Sequence, residues 1–123
     1  MLSSDEKVRM MQAYLLLYEV EDGLRKTIQQ RMSSIYGPHW FDNAPTSQHM
    51  KPLKTAFQNL TFSQYETYYL RVYPVFSHSL LFFTHLNILY PLRNKVAHHH
   101  CLTTYEFQMI KRSSRFVLRE LHI

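Results

Sequence analysis

Glycine is the residue that this chain most lacks. Gly23 and Gly37 are the only two among 123 residues, where average usage of roughly 7% gives about eight or nine. Phosphate-binding loops, dinucleotide-binding turns and nucleophile elbows need glycine where the backbone approaches a ligand closely or takes a positive φ. Hairpin-rich β folds need it in their turns. These classes are therefore excluded, and a mostly helical protein is expected.

Cysteine and long apolar runs are scarce as well. Cys101 stands alone, which excludes an intramolecular disulfide and a paired-cysteine zinc site and makes a reducing cytoplasm the expected compartment. The first residues lack the basic segment and apolar run of an export signal. The most apolar stretch, Leu80 to Tyr90, is interrupted by His85 and Asn87 and is far shorter than the roughly 20 residues of a bilayer span. We therefore expect no membrane partner.

The composition that remains is that of a folded, basic protein. The chain is 46% hydrophobic and 15% aromatic, which is enough to bury a core. Residues 1–22 hold five acids against two bases, whereas the remainder holds twelve bases against four acids. A surface with such an excess of positive charge favours a polyanionic partner.

A long amphipathic helix is predicted at the start of the chain, from Asp5 to about Ser34, because apolar residues recur there at helical spacing. Ser3 or Ser4 is expected to cap it. We expect its apolar positions to form the buried face: Val8, Met11, Leu15, Tyr18, Leu17, Leu24, Ile28, Met32 and Ile35.

Loops and shorter helices are predicted to follow. Glycine and proline mark 36–47 as a loop whose two aromatic residues, Trp40-Phe41, fold back as an apolar plug. A short helix is expected near 48–59. A further helix is expected to run through Tyr73, with Ser63 as its cap.

The second half of the chain predicts two more helices. Pro74 fits the first turn of the next one. From 75 to 98 apolar residues are too dense for periodicity to locate the helix boundaries, and Pro91 predicts a kink or break. Thr103 to Glu106 has the pattern of a capping box that starts the last helix. We therefore predict an all-α bundle of four to five helices in a single domain, residues 1–123.

The segment Leu92 to His100, LRNKVAHHH, gathers groups suited to phosphoryl chemistry. Arginine offers a planar fork that matches phosphate oxygens, and histidine can transfer a proton near pH 7. On a helix Asn94 and His98 stand four residues apart and face each other, so the amide could orient the imidazole. Arg93 points about 100° away from Asn94 around the helix axis, so it lies beside the Asn94–His98 pair. One protomer thus gives an incomplete site, and a homodimer would place two Arg–Asn–His sets around one groove.

The pattern R-N-x-x-x-H near the end of an apolar helix, in a small basic helical chain, resembles the HEPN superfamily. Together with LTFSQYETYY at 60–69, LRNKVAHHH is most similar to the abortive-infection-like branch. The resemblance covers roughly 14–41, 60–70 and 86–105. It implies a homodimeric helical bundle that cleaves RNA without a metal or other cofactor. Such proteins act mostly as toxins or phage-defence effectors, many of them held inactive by a partner antitoxin.

The resemblance also implies roles for individual residues. His98 would help to activate the ribose 2′-OH, Arg93 would stabilise the charged phosphorane, and Asn94 would orient groups in the site, giving 2′,3′-cyclic phosphate products. His99 and His100 satisfy the looser family spacing from Arg93 as well. On an unbroken helix His100 lies closer to Arg93, seven residues on, so both histidines remain alternatives or auxiliaries.

Other polar and aromatic groups have two interpretations each. Four basic residues are candidates to contact the RNA backbone: Lys95, Lys111, Arg112 and Arg115. The alternative is that they only form a solvated face of the protein. The histidine run beside Cys101 suggests zinc, but adjacent residues point apart, and we predict no metal site. A run of tyrosines could stack on RNA bases, yet helical spacing favours the core: Tyr65, Tyr68, Tyr69 and Tyr73.

The alternative function belongs to another class. Folds of this kind also serve without cleavage. The chain would then be a catalytically silent HEPN module that binds RNA or a protein partner, in an antitoxin or scaffold role.

Overall fold

The computed structural model describes residues 2–45 and 56–121, and within them every regular element is helical. The α-helices are α1 Ser4–Tyr36, α2 Trp40–Asn43, α3 Phe62–Tyr65, α4 Leu80–Ala97 and α5 Thr104–Leu121. A 3-10 turn, Phe57–Asn59, precedes α3, and a π-helical segment, Glu66–Leu70, follows it. The prediction of an all-α protein with four to five helices is confirmed.

The chain divides into two compact units, one from Met1–Gly23 with His78–Ile123 and the other from Leu24–Ser77. α1 contributes residues 4–23 to the first unit and residues 24–36 to the second. The single domain over residues 1–123 stays a prediction.

The first unit is built from the start of α1 with α4 and α5. α4 packs along α5, and α1 approaches α5 at Gly23, where a Cβ would lie 3.3 Å from Leu121 Cδ1. His85 stacks on Phe116 with ring centroids 4.4 Å apart and shares a hydrogen bond of 3.0 Å with the Ser113 hydroxyl. Buried apolar residues come from all three helices: Ala13, Leu17, Val20, Phe82, Leu86, Leu89, Leu92, Val96, Ile110, Val117 and Leu121.

α4 continues through Pro91 without the predicted break. It begins later than predicted, because the Ser79 hydroxyl caps it by accepting a hydrogen bond of 3.1 Å from the Phe82 N–H. The expectation that Pro74 opens a helix is wrong, since 71–79 is not helical.

The second unit has an aromatic core. The rings of Trp40, Phe57 and Tyr69 meet edge to face, with centroids 5.0 to 5.8 Å apart. The Tyr65 hydroxyl donates to the Phe57 carbonyl at 2.8 Å and accepts from Arg25 Nε at 3.0 Å. Burial raises the pKa of Tyr69. Three of the four tyrosines are therefore core residues, as the helical spacing favoured.

Local boundaries in this unit differ from the predictions. Thr61, rather than Ser63, caps α3, through a capping box with Gln64. Trp40 is buried as an apolar plug, but Phe41 is 42% exposed. The helix predicted near 48–59 lies mostly outside the described residues, which show only the 3-10 turn at its end.

α1 has two apolar faces, and only one of them is buried. Of the apolar residues predicted to be buried, Leu17, Leu24, Ile28 and Met32 are buried. Four others, however, are each more than half exposed: Val8, Met11, Leu15 and Tyr18. Their predicted burial is wrong, because at 100° per residue they lie on the side of α1 opposite to Ala13, Leu17 and Val20. Ile35 is also more than half exposed.

α1 is capped by Ser3, one of the two serines that were predicted. Ser3 Oγ accepts from the Glu6 N–H at 3.2 Å, and Glu6 Oε1 accepts from the Ser3 N–H at 3.0 Å. None of the described helices is both long and apolar enough to cross a membrane.

Candidate active site at the end of α4

The R-N-x-x-x-H motif lies at the carboxyl end of α4. Leu92 and Val96 are buried there and fix the orientation of the helix, which leaves Arg93 half-buried at the flank and Asn94 exposed. The polar groups between the two apolar residues face outward.

The helix ends in a turn made by the three histidines. His98 is near-helical (φ −94°, ψ 13°), whereas His99 has a φ of +59°. The N–H groups of His99 and His100 donate to the carbonyls of Val96 and Lys95, at 3.0 and 2.8 Å. This combination is a Schellman turn, which usually has glycine at the left-handed position. Histidine is one of the residues that tolerate that conformation.

The turn brings two imidazoles together. The rings of His98 and His100 have centroids 6.3 Å apart, at 47° to each other, and all three histidines are exposed. The unbroken helix that would place His100 beside Arg93 is wrong, because α4 ends at Ala97. His100 instead approaches His98.

Within the described part of the chain, the polar side chains of the motif form no hydrogen bond or ion pair with the protein. This holds for Arg93, Asn94, His98, His99 and His100. The predicted contact between the Asn94 amide and the His98 ring is therefore not made, although the His98 N–H donates to the Asn94 carbonyl at 3.0 Å. Groups without internal partners are available to a ligand.

The segment after the histidines is anchored to the start of α1. Leu102 is buried, and its carbonyl accepts from Arg9 Nη1 at 3.1 Å. The Cys101 thiol donates to Glu6 Oε2 at 2.8 Å. More than 90 residues separate the partners of both contacts, so no local sequence pattern marks them.

The Glu6–Cys101 contact shifts the pKa of both side chains. The hydrogen bond from Cys101, followed by those from Ser3, lowers the pKa of Glu6 to about 2. The same hydrogen bond and the negative charge of Glu6 raise the pKa of the Cys101 thiol.

Lys95, one of the candidate RNA contacts, is tied to the start of α5. Its ammonium forms an ion pair with Glu106, and this contact lowers the pKa of Glu106. Glu106 also accepts from the Thr103 N–H at 2.9 Å, while Thr103 Oγ1 accepts from the Glu106 N–H at 3.1 Å. The predicted capping box is thereby confirmed. Lys95 is partly neutralised by the protein itself.

The other candidate RNA contacts lie along α5. Arg112 and Arg115 are exposed and, three residues apart, share one side of the helix. Lys111 is half-buried, with its Nζ 5.4 Å from the centre of the Phe107 ring. From the rise of 1.5 Å per residue, these residues begin about 10 Å beyond the start of α5.

No cluster of three or more metal-binding side chains occurs within residues 2–45 and 56–121. Comparison of the chain with family models, with characterised proteins and with solved structures finds no match in any of the three. The resemblance to the HEPN superfamily stays a prediction.

Proposed function

We propose that this protein is a metal-independent RNA endonuclease of the HEPN type that acts in the cytoplasm as a toxin or phage-defence effector. The observation that carries the proposal is the end of α4, where the imidazoles of His98 and His100 approach each other on the turn that follows the helix, and Arg93 lies on the helix itself, five residues before His98. A partner antitoxin that covers this turn would restrain the enzyme.

RNA cleavage by the ribose needs both a base and an acid, and two imidazoles supply them. His98 accepts the 2′-OH proton as the 2′ oxygen attacks the adjacent phosphorus. The bond from phosphorus to the 5′ oxygen breaks, and protonated His100 donates a proton to that oxygen. Arg93 stabilises the charge on the phosphorane oxygens, and Asn94 orients the phosphate. The products are a 2′,3′-cyclic phosphate and a 5′-OH.

The test is cleavage of total RNA by the pure protein in EDTA. Wild type and His99→Ala should cleave, whereas Arg93→Ala and His98→Ala should lose on the order of 10²-fold or more in rate. Wild-type RNA binding without cleavage under any condition would instead support the silent module.

The shared groove of a homodimer stays a prediction, and a mixing experiment tests it. Equal amounts of Arg93→Ala and His98→Ala chains, unfolded and refolded together, form heterodimers as half of all dimers. If Arg93 of one protomer works with His98 of the other, one site of each heterodimer is intact and the mixture recovers about a quarter of wild-type activity. If each protomer works with its own residues, the mixture recovers none.

A further inference from the structure

The exposed apolar face of α1 forms a continuous stripe. We define the α1 stripe as Val8, Met11, Leu15 and Tyr18, which are 52%, 71%, 55% and 54% exposed. Tyr14 lies at its edge and is 64% exposed. The spacing of three, four and three residues is that of a heptad seam between two helices. Soluble proteins seldom leave a patch of this kind open to water.

We propose that the α1 stripe binds the α1 stripe of a second copy of this chain, with the two helices antiparallel. The other face of α1 is already used by the core of the first unit, through Ala13, Leu17 and Val20. The stripe is therefore left for an external partner.

The side chains of the stripe are complementary to themselves in the antiparallel orientation. A seam centred near residue 13 places Met11 opposite Leu15 and Val8 opposite Tyr18, so that the smallest residue faces the largest. A parallel seam would instead pair each residue with its own copy and leave the two tyrosines facing each other.

Charge also favours the antiparallel orientation. The heptad position that follows Tyr18 is occupied by Asp22. A parallel seam brings Asp22 opposite Asp22 of the second copy, and like charges in direct opposition repel. In the antiparallel seam the same position faces Ser4, and Lys7 approaches the acidic end of the partner helix.

The area of the stripe suits a reversible dimer. The four side chains of the α1 stripe and the adjacent Tyr14 offer roughly 500 Å² per protomer, or about 1,000 Å² in total, the lower limit of specific interfaces. A dimer that dissociates in the micromolar range is expected.

The seam has a consequence for the active site, and this consequence alone depends on the proposed function. Arg9 and Glu6, which anchor the segment after the histidines, lie on the side of α1 opposite to the stripe. The two histidine turns then lie on the outer sides of the helix pair. In this dimer each protomer works with its own Arg93, so the α1 seam and the shared groove predicted from the sequence are alternatives. The seam predicts that the mixing experiment recovers no activity, and recovery of a quarter of wild-type activity contradicts this consequence.

The interface itself is tested by the molar mass in solution, without any assay of RNA cleavage. At about 100 µM the wild type should approach twice the 14.9 kDa of the chain, and Leu15→Glu should be monomeric with an unchanged circular dichroism spectrum. Leu80→Glu is the matched control, because Leu80 is 82% exposed but lies on α4, and it should remain dimeric. If Leu15→Glu does not fold, Met11→Lys replaces it. A monomeric wild type, or a dimer that Leu80→Glu disrupts and Leu15→Glu does not, overturns the proposal.

The orientation is tested by thiol cross-linking in a Cys101→Ser background. Gln12→Cys lies within about one residue of the two-fold axis, so a short bis-maleimide should join the two chains. Val8→Cys should not be cross-linked, because position 8 of one chain and position 8 of the other lie ten residues, or about 15 Å, apart along the seam. Efficient cross-linking of Val8→Cys without Gln12→Cys indicates a parallel seam and overturns the antiparallel dimer.

Discussion

At the scale of single residues, the three consecutive histidines differ in backbone conformation, and this difference separates their roles. His98 caps the end of α4, His99 is left-handed, and His100 returns toward His98. His98 and His100 thus form a pair of imidazoles, whereas the main role of His99 is to provide the left-handed backbone of the turn. His99 is accordingly the natural control for substitutions of the other two.

The assignment of base and acid predicts how each variant responds to the leaving group. A nitrophenolate leaves without a proton, whereas a nucleoside 5′ oxygen needs one. His100→Ala should therefore lose about 10²-fold or more on a dinucleotide but little on a ribonucleoside 3′-(p-nitrophenyl phosphate), as initial rates on both substrates would show. His98→Ala should lose activity on both. If His100→Ala matches His99→Ala on the dinucleotide, His100 is not the acid.

The contact of Glu6 with Cys101 predicts a slowly reacting thiol. Glu6 ionises near pH 2, so it is negatively charged wherever the thiol titrates, and it disfavours the thiolate. Glu6→Gln should lower the pKa of Cys101 and speed its alkylation by iodoacetamide at pH 8. Glu19→Gln, which removes an exposed acid elsewhere on α1, should leave the rate unchanged. Equal rates for Glu6→Gln and wild type contradict this contact.

At the scale of elements, local signals predicted the starts of α1 and α5 but not the bounds of α4. The capping box at Thr103 and Glu106 involves neighbours in sequence, so it could be recognised directly. The end of α4 could not be recognised in this way, because a left-handed turn is normally marked by glycine and this one has His99. The motif was therefore identified, but the approach of His100 to His98 was not.

The turn at the end of α4 predicts that glycine stabilises one position and destabilises its neighbour. His99→Gly removes the cost of a Cβ at φ +59°, only part of which is offset by the greater freedom of glycine in the unfolded chain. The free energy of unfolding should rise by about 0.5 to 1 kcal/mol. His98→Gly, with a negative φ, should lower it by a similar amount. Urea unfolding measures both, and a less stable His99→Gly variant would contradict the turn geometry.

At the scale of the whole molecule, periodicity identified the apolar residues of α1 but not the faces on which they lie in the folded protein. A helix of 33 residues can have two apolar faces, and the pattern alone does not say which one the chain itself covers. The buried face supplies core residues such as Ala13, Leu17 and Val20, whereas the α1 stripe remains exposed. The same exposed residues that contradict the predicted core are those that support a dimer.

The central claim is that the end of α4 cleaves RNA through the ribose 2′-OH without a metal, and the ends of the products test it most directly. In EDTA, a defined RNA should yield fragments with 2′,3′-cyclic phosphate and 5′-OH ends, identified by mass spectrometry. The same strand with a 2′-deoxy sugar at the cleaved nucleotide should resist at that position. Fragments with 5′-phosphate ends, or cleavage at the deoxy position, would contradict the account.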